Sequence, residues 1–269
     1  GDLRDATNGA GGSSLGVDIT LGGAAHDVLD DVVYSALCTF VSARKVRHLW
    51  LGIVCSSLSQ LWLKAGRPKL RSRPQPDGIH PMPRQWRRYI ARANAIIERG
   101  CYLAWLQFVA GYTFYIENPA DVGFMASPHF KWSKRAAVSL WITSWVRRLA
   151  SLVQAVWGTT AMCGWQSRFQ KLTTIMAAGP EASPVSTINA IQCTHSKHEA
   201  QADGVDADGI QLSRIAGQYP PLFCSFFGHN FTHATPWHAK RSSSLDTMRA
   251  AATQDAASTA SSPNARSRP

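Results

Sequence analysis

Two apolar runs, residues 49–62 (LWLGIVCSSLSQLW) and 114–124 (FYIENPADVGF), constrain this chain more than any other feature. The first carries a strand-like stretch into a cysteine flanked by serines; the second carries one into Glu-Asn-Pro. Residues 48–54 (HLWLGIV) are apolar and bounded by turns, the pattern of a strand buried on both faces of a parallel sheet. Residues 112–118 (YTFYIEN) have strand character, closed by Pro119. Between the two, Trp86, Tyr89, Ile90, Ala93, Ile97, Tyr102 and Leu103 recur at spacings of mostly three and four, which predicts a long amphipathic helix over residues 84–111. Ligands of an α/β sheet sit beyond the carboxyl ends of its strands, so Cys55 and Glu117 would open onto one crevice.

The rest of the chain reads as further alternation. Residues 1–16 are rich in glycine and small polar residues and read as a loop-like leader. Residues 67–83 form a basic, proline-punctuated loop. A helix is expected over residues 133–149 with Ser133 as its cap, strands over 152–158 and 171–177, and a late helix over about 212–227. Short apolar strands alternating with helices indicate an α/β sheet rather than a bundle or sandwich. From Ser242 onward serine, alanine, threonine and proline displace large apolar residues, and the tail, taken as residues 231–269, is expected to be disordered.

Composition narrows the partner class. A chain of 269 residues that is 45% hydrophobic can bury one sizeable core, so a single domain spanning residues 17–230 is expected. A net charge of +11 favours polyanions, because phosphate neutralisation releases counterions. With six cysteines without a short repeated spacing, and no stretch at the start that reads as a charged and then apolar leader, an intracellular, reducing setting is expected, with the nucleus as one candidate. The longest apolar stretch, residues 101–116, is interrupted by Gln107, Gly111 and Thr113 and is shorter than the roughly twenty residues of a membrane helix, so no membrane is expected.

The order of motifs resembles that of cytosine-C5 DNA methyltransferase-like domains, in degenerate forms carried by mobile elements. The matching pieces are VDITLGGAAHDVLDD (17–31), LGIVCSSLS (51–59), RPKLRSRPQPDGI (67–79), IENP (116–119), CGWQSRFQKLTTI (163–175), CTHSKHEAQADG (193–204) and IAGQYPPLFC (215–224). The resemblance implies a Rossmann-like, mostly parallel sheet flanked by helices. It also implies methyl transfer from S-adenosylmethionine to cytosine in DNA, or alternatively RNA. Cys55 would be the thiolate that adds to the base, Glu117 would hydrogen-bond the flipped cytosine, and Asn118 would hold the loop. Asp18 would bind the cofactor's ribose hydroxyls, and Asp27 would lie near its adenine amine. Arg168, Gln170 and Lys171 fall in the segment that resembles a polar strand near the family's active site.

This sequence departs from that pattern in two places. Val54 stands where the family has proline, and the only glycine-rich run, residues 8–16, abuts Asp18 without room for a strand and helix between them, so the sheet is expected to lack its first strand and loop. The alternative function is a catalytically silent nucleic-acid-binding remnant. Either way the phosphate contacts would come from the basic residues between Lys64 and Arg99, among them Arg71, Arg73, Arg87 and Arg88, with Trp86 and Tyr89 available for stacking. Cys193, His195 and His198 form a single close group, with Cys163, Cys224, His229 and His233 more distant in sequence; the reading is loop histidines beside a structural cysteine, with no metal.

Overall fold

Strand β2 (Thr113–Pro119) organises the molecule because its side chains alternate between two cores. Phe114 and Ile116 enter one core, with Ile97, Cys101, Ala104, Val146, Leu149, Met176 and Ala178; Tyr115 enters the other, with Ile175, Ala177, Phe223, Phe227 and Phe231. The computed structural model describes residues 3–53, 56–58, 66–121, 138–196, 198, 208–210 and 212–233. The chain divides into two units, Gly1–Ala234 and Thr235–Pro269, and the second lies wholly outside the described residues, as does most of the tail expected to be disordered.

The sheet has four strands in the order β1-β2-β4-β3, where β1 is His48–Gly52, β3 is Val156–Ala161 and β4 is Leu172–Ala178. Strands β1 and β2 pair in parallel, with Gly52 opposite Glu117, whereas β4 runs antiparallel to both β2 and β3. This small mixed sheet, mostly antiparallel, corrects the expectation of a Rossmann-like, mostly parallel one. The physical reason lies between β3 and β4: the ten residues 162–171 hold no helix beyond a turn of 3-10 helix at Met162–Trp165. A parallel return needs a crossover of a dozen or more residues, usually helical. The methyltransferase and S-adenosylmethionine assignments, which leaned on the parallel topology, lose that support.

Helices pack on both faces. Helix α1 is Leu3–Gly9, α2 is Asp31–Ser42, α3 is Arg84–Val109, α4 is Ser144–Val153 and α5 is Pro221–His233. The buried residues of α3, including Ile90, Ile97, Cys101 and Ala104, follow the period of one helical face, and the helix stops where Gly111 takes a φ of +87°, a left-handed conformation that glycine adopts without strain. Its amide bonds Phe108 O, and Tyr112 N bonds Gln107 O. The Gln107 side chain, fully buried, donates to Val46 O, Arg47 O and Thr113 O and so fastens the helix to the starts of β1 and β2. Asp30 caps α2 through the amides of Val32 and Val33, and Arg99 joins α2 to α3 by donating to Val28 O and Asp31.

Several boundaries differ from the sequence expectation. The leader contains α1, which packs on α5: a Cβ on Gly228 would stand 2.9 Å from the Ala6 carbonyl carbon, so the absent side chain lets the helices touch. The late helix is a single turn, Leu212–Ile215, separated by Pro220 from α5. Helix α4 extends to Val153 and starts at Ser144; residues 131–137, including the expected Ser133 cap, lie outside the described residues.

Candidate functional site

The parallel pairing of β1 and β2 sets their carboxyl ends side by side, and there the polar residues of β2 appear. Glu117 and Asn118 are 6% and 3% exposed. By strand alternation they face opposite ways. Asn118 Nδ2 donates to Ile53 O at 2.6 Å, stitching β2 to the chain just past β1. The Pro119 carbonyl accepts from Trp141 Nε1 at 2.9 Å.

Glu117 points to the Tyr115 side of the sheet. Tyr219 Oη donates to Glu117 Oε2 at 2.9 Å, and Lys171 Nζ lies 3.4 Å from Glu117 Oε1. Trp50 Nε1 in turn donates to Tyr219 Oη at 3.1 Å. Loss of hydration, and next the Glu117 carboxylate, push the Tyr219 hydroxyl well above its ordinary pKa, so it stays a donor at neutral pH. An open depression of about 170 Å³ adjoins Tyr219, lined by residues including Gln166, Arg168 and Gln218. That is below the roughly 300–1,000 Å³ of pockets that enclose small-molecule ligands.

The other expected site residues are dispersed. Cys55 and Val54 lie outside the described residues; nearby, Ser56 Oγ is 2.8 Å from Tyr89 Oη, and Ser57 Oγ accepts from Arg71 Nε at 3.1 Å. Asp18 caps the turn Ile19–Gly22, accepting from Thr20 N at 2.7 Å and Thr20 Oγ1 at 2.6 Å, and these bonds lower its pKa. Asp27 accepts from Leu29 N at 2.9 Å and lies 3.9 Å from Arg92. Both aspartates thus serve local turns.

The arginines divide into two kinds. Arg71 is 2% exposed and also donates to Pro76 O at 2.7 Å and Asn94 Oδ1 at 2.8 Å; burial pushes its pKa down to about 10, which leaves it charged at neutral pH. Arg73 grips Asp121 through both terminal nitrogens, at 2.8 and 3.0 Å. Arg87 is exposed and donates to Met82 O, and Arg88 is exposed. Trp86 and Tyr89 meet edge to face and pack against a small cluster of Leu70, Met82 and Ile90.

No protein-family model matches the chain, and neither does any curated protein or solved structure. No helix among the described residues is long and apolar enough to cross a membrane. Sequence reasoning singled out Glu117 and Asn118 and noted Lys171, but gave Tyr219 no role; its signal was only its place in the IAGQYPPLFC segment. Cys163, which sequence spacing left far from the CTHSKH group, is brought beside Cys193, His195 and His198. Those four offer two sulfur and two nitrogen ligand atoms, a set suited to zinc.

Proposed function

We propose that this domain binds nucleic acid through the amino-terminal turns of α3. The observation that carries the reading is the exposed arginine set Arg84, Arg87 and Arg88 at the start of a 26-residue helix with no acidic residue in its first turn. A helix amino terminus carries partial positive charge, and a cation placed there is disfavoured by about 0.3–1 kcal/mol. A bound phosphate would relieve that conflict, since the positive end of the helix and the Arg84 and Arg88 guanidinium groups would all favour an anion there. Arg84 and Arg88, four residues apart, share a face of the helix.

Arg71 and Arg73 play a different part here. Their bonds to Ser57, Pro76, Asn94 and Asp121 hold the preceding loop against α3 and the end of β2, so they shape the surface that presents Arg84 and Arg88. The net charge of +11 adds long-range attraction to any polyanion.

The test is fluorescence anisotropy with labelled duplex DNA, single-stranded DNA and RNA over a range of salt concentrations. Replacing Arg84 and Arg88 together by alanine is expected to weaken binding and to flatten the slope of log affinity against log salt by about 0.7–0.9 per lost phosphate contact. An unchanged slope, or no binding by the parent protein at low salt, would refute the reading.

A further inference from the structure

We propose that Cys163, Cys193, His195 and His198 form a structural zinc site. Their four ligand atoms all lie within 4.8 Å of one another. Bonds of about 2.3 Å to sulfur and 2.0–2.1 Å to nitrogen set the ligand atoms of a tetrahedral zinc roughly 3.3–3.8 Å apart. The Cys193 Sγ to His198 Nε2 separation of 3.0 Å and the Cys193 Sγ to His195 Nδ1 separation of 3.9 Å straddle that range. Small side-chain rotations therefore suffice to admit the ion.

The backbone assembles the site without help from a metal. Cys163 sits on the 3-10 turn Met162–Trp165 that follows β3, and the other three ligands come from the segment after Ala190. Two bonds seat that segment beside the turn: Thr160 Oγ1 donates to Ile191 O at 2.8 Å, and Ala161 N donates to the same oxygen at 3.4 Å. Gly164 makes the approach possible, because a Cβ there would stand 2.7 Å from Ile191 Cγ2. Cys163 is buried while His195 is exposed, so the site has a core side and an entry side.

The donor set fixes both the ion and its role. Two thiolates and two neutral imidazoles suit a borderline-soft divalent ion, and the two thiolate charges balance it. On binding, each thiol forms a sulfur–zinc bond and gives up its proton, so two protons are released per ion. With all four positions filled by protein there is no place for a water or substrate, which makes the ion a clamp rather than a catalyst. The clamp would tie residues 193–198 to the β3–β4 connection, where Met162 N already bonds Lys171 O at 2.8 Å.

The full chain, expressed with added zinc, purified and desalted, should retain about one zinc per chain by elemental analysis. Cys193→Ser and His198→Ala should each reduce retained zinc at least tenfold, whereas Cys38→Ser, on α2, should leave it unchanged. Cobalt added to the metal-stripped, reduced protein should give the intense visible bands of a tetrahedral site together with sulfur-to-cobalt charge transfer. That spectrum, recorded on the parent protein, decides the matter even where a variant fails to fold. A folded parent protein that retains no zinc and gives only weak octahedral cobalt bands overturns the proposal. So does full zinc retention by both variants, or a Cys163–Cys193 disulfide in protein purified with zinc.

Discussion

Tyr219 Oη donates to Glu117 Oε2 at 2.9 Å, joining residues 102 positions apart and fastening the segment before α5 to the carboxyl end of β2. The same hydroxyl accepts from Trp50 Nε1, so one oxygen links β1, β2 and the segment that leads into α5. Tyr219→Phe removes it and leaves a buried carboxylate one donor short and an indole N–H without its acceptor. Leaving buried polar groups unsatisfied costs about 1–3 kcal/mol. Denaturant unfolding monitored by tryptophan fluorescence should show that loss, and Glu117→Gln combined with Tyr219→Phe should cost less than the sum of the two single changes, since the pair shares one bond.

Arg71 and Arg88 should behave oppositely. Arg71→Ala empties a buried position and strands Ser57, Pro76 O and Asn94, with an expected loss of about 3 kcal/mol. Arg71→Lys should recover little, because one ammonium cannot reproduce the planar fork that reaches three partners. Exposed Arg88→Ala should change stability by no more than about 0.5 kcal/mol. Equal effects of the two alanine changes in urea titrations would contradict this division.

How much of this was legible beforehand follows from the kind of signal involved. Strands β1, β2 and β4 and helix α3 showed themselves because each is long or apolar enough for its own period to stand out. The direction of β4 did not, since a strand's hydrophobicity is blind to polarity and the clue was the short connection after β3, which has no α-helix. Helix α1 was hidden by its glycine-rich surroundings: its stability comes from lying against Gly228 of α5, a tertiary contact that overrides propensity. At the site, Glu117 and Asn118 were visible because polar residues closing an apolar strand are conspicuous. The gathering of Tyr219 and of Cys163 depended on long-range packing that no local pattern encodes.

Two glycines offer a test of packing against conformation. At Gly158 in β3 an added Cβ would lie 1.9 Å from Val185 O and 2.8 Å from Ile188 Cγ1, so Gly158→Ala must push the turn Pro184–Thr187 off the sheet. Overpacking of this kind costs about 1–3 kcal/mol. At Gly111 nothing lies within 4 Å, and the cost of Gly111→Ala comes only from its φ of +87°, about 1–2 kcal/mol. Asparagine tolerates the left-handed region, so Gly111→Asn should be milder than Gly111→Ala, whereas at Gly158 asparagine should be worse than alanine. Thermal melts of the four variants would show whether that ordering holds.

His48 should make the fold acid-sensitive. Its ring stacks on Phe231 with centroids 4.6 Å apart, and Nε2 lies 3.1 Å from Glu181 Oε2, at ion-pair distance but without the alignment of a hydrogen bond. Burial drives its pKa down to about 4; the Glu181 carboxylate opposes that shift and Arg47 adds to it. A free histidine titrates near 6.5, so between about pH 6.5 and pH 4 the unfolded chain binds a proton that the native state refuses. Stability from this group is therefore complete above about pH 6.5 and falls as the pH drops toward 4, by on the order of 3 kcal/mol in all. His48→Phe keeps an aromatic ring against Phe231 and removes the titration. Its unfolding free energy, measured in urea across that window, should lack the share of pH dependence that His48 contributes, and a slope identical to that of the parent protein would show that another group carries it.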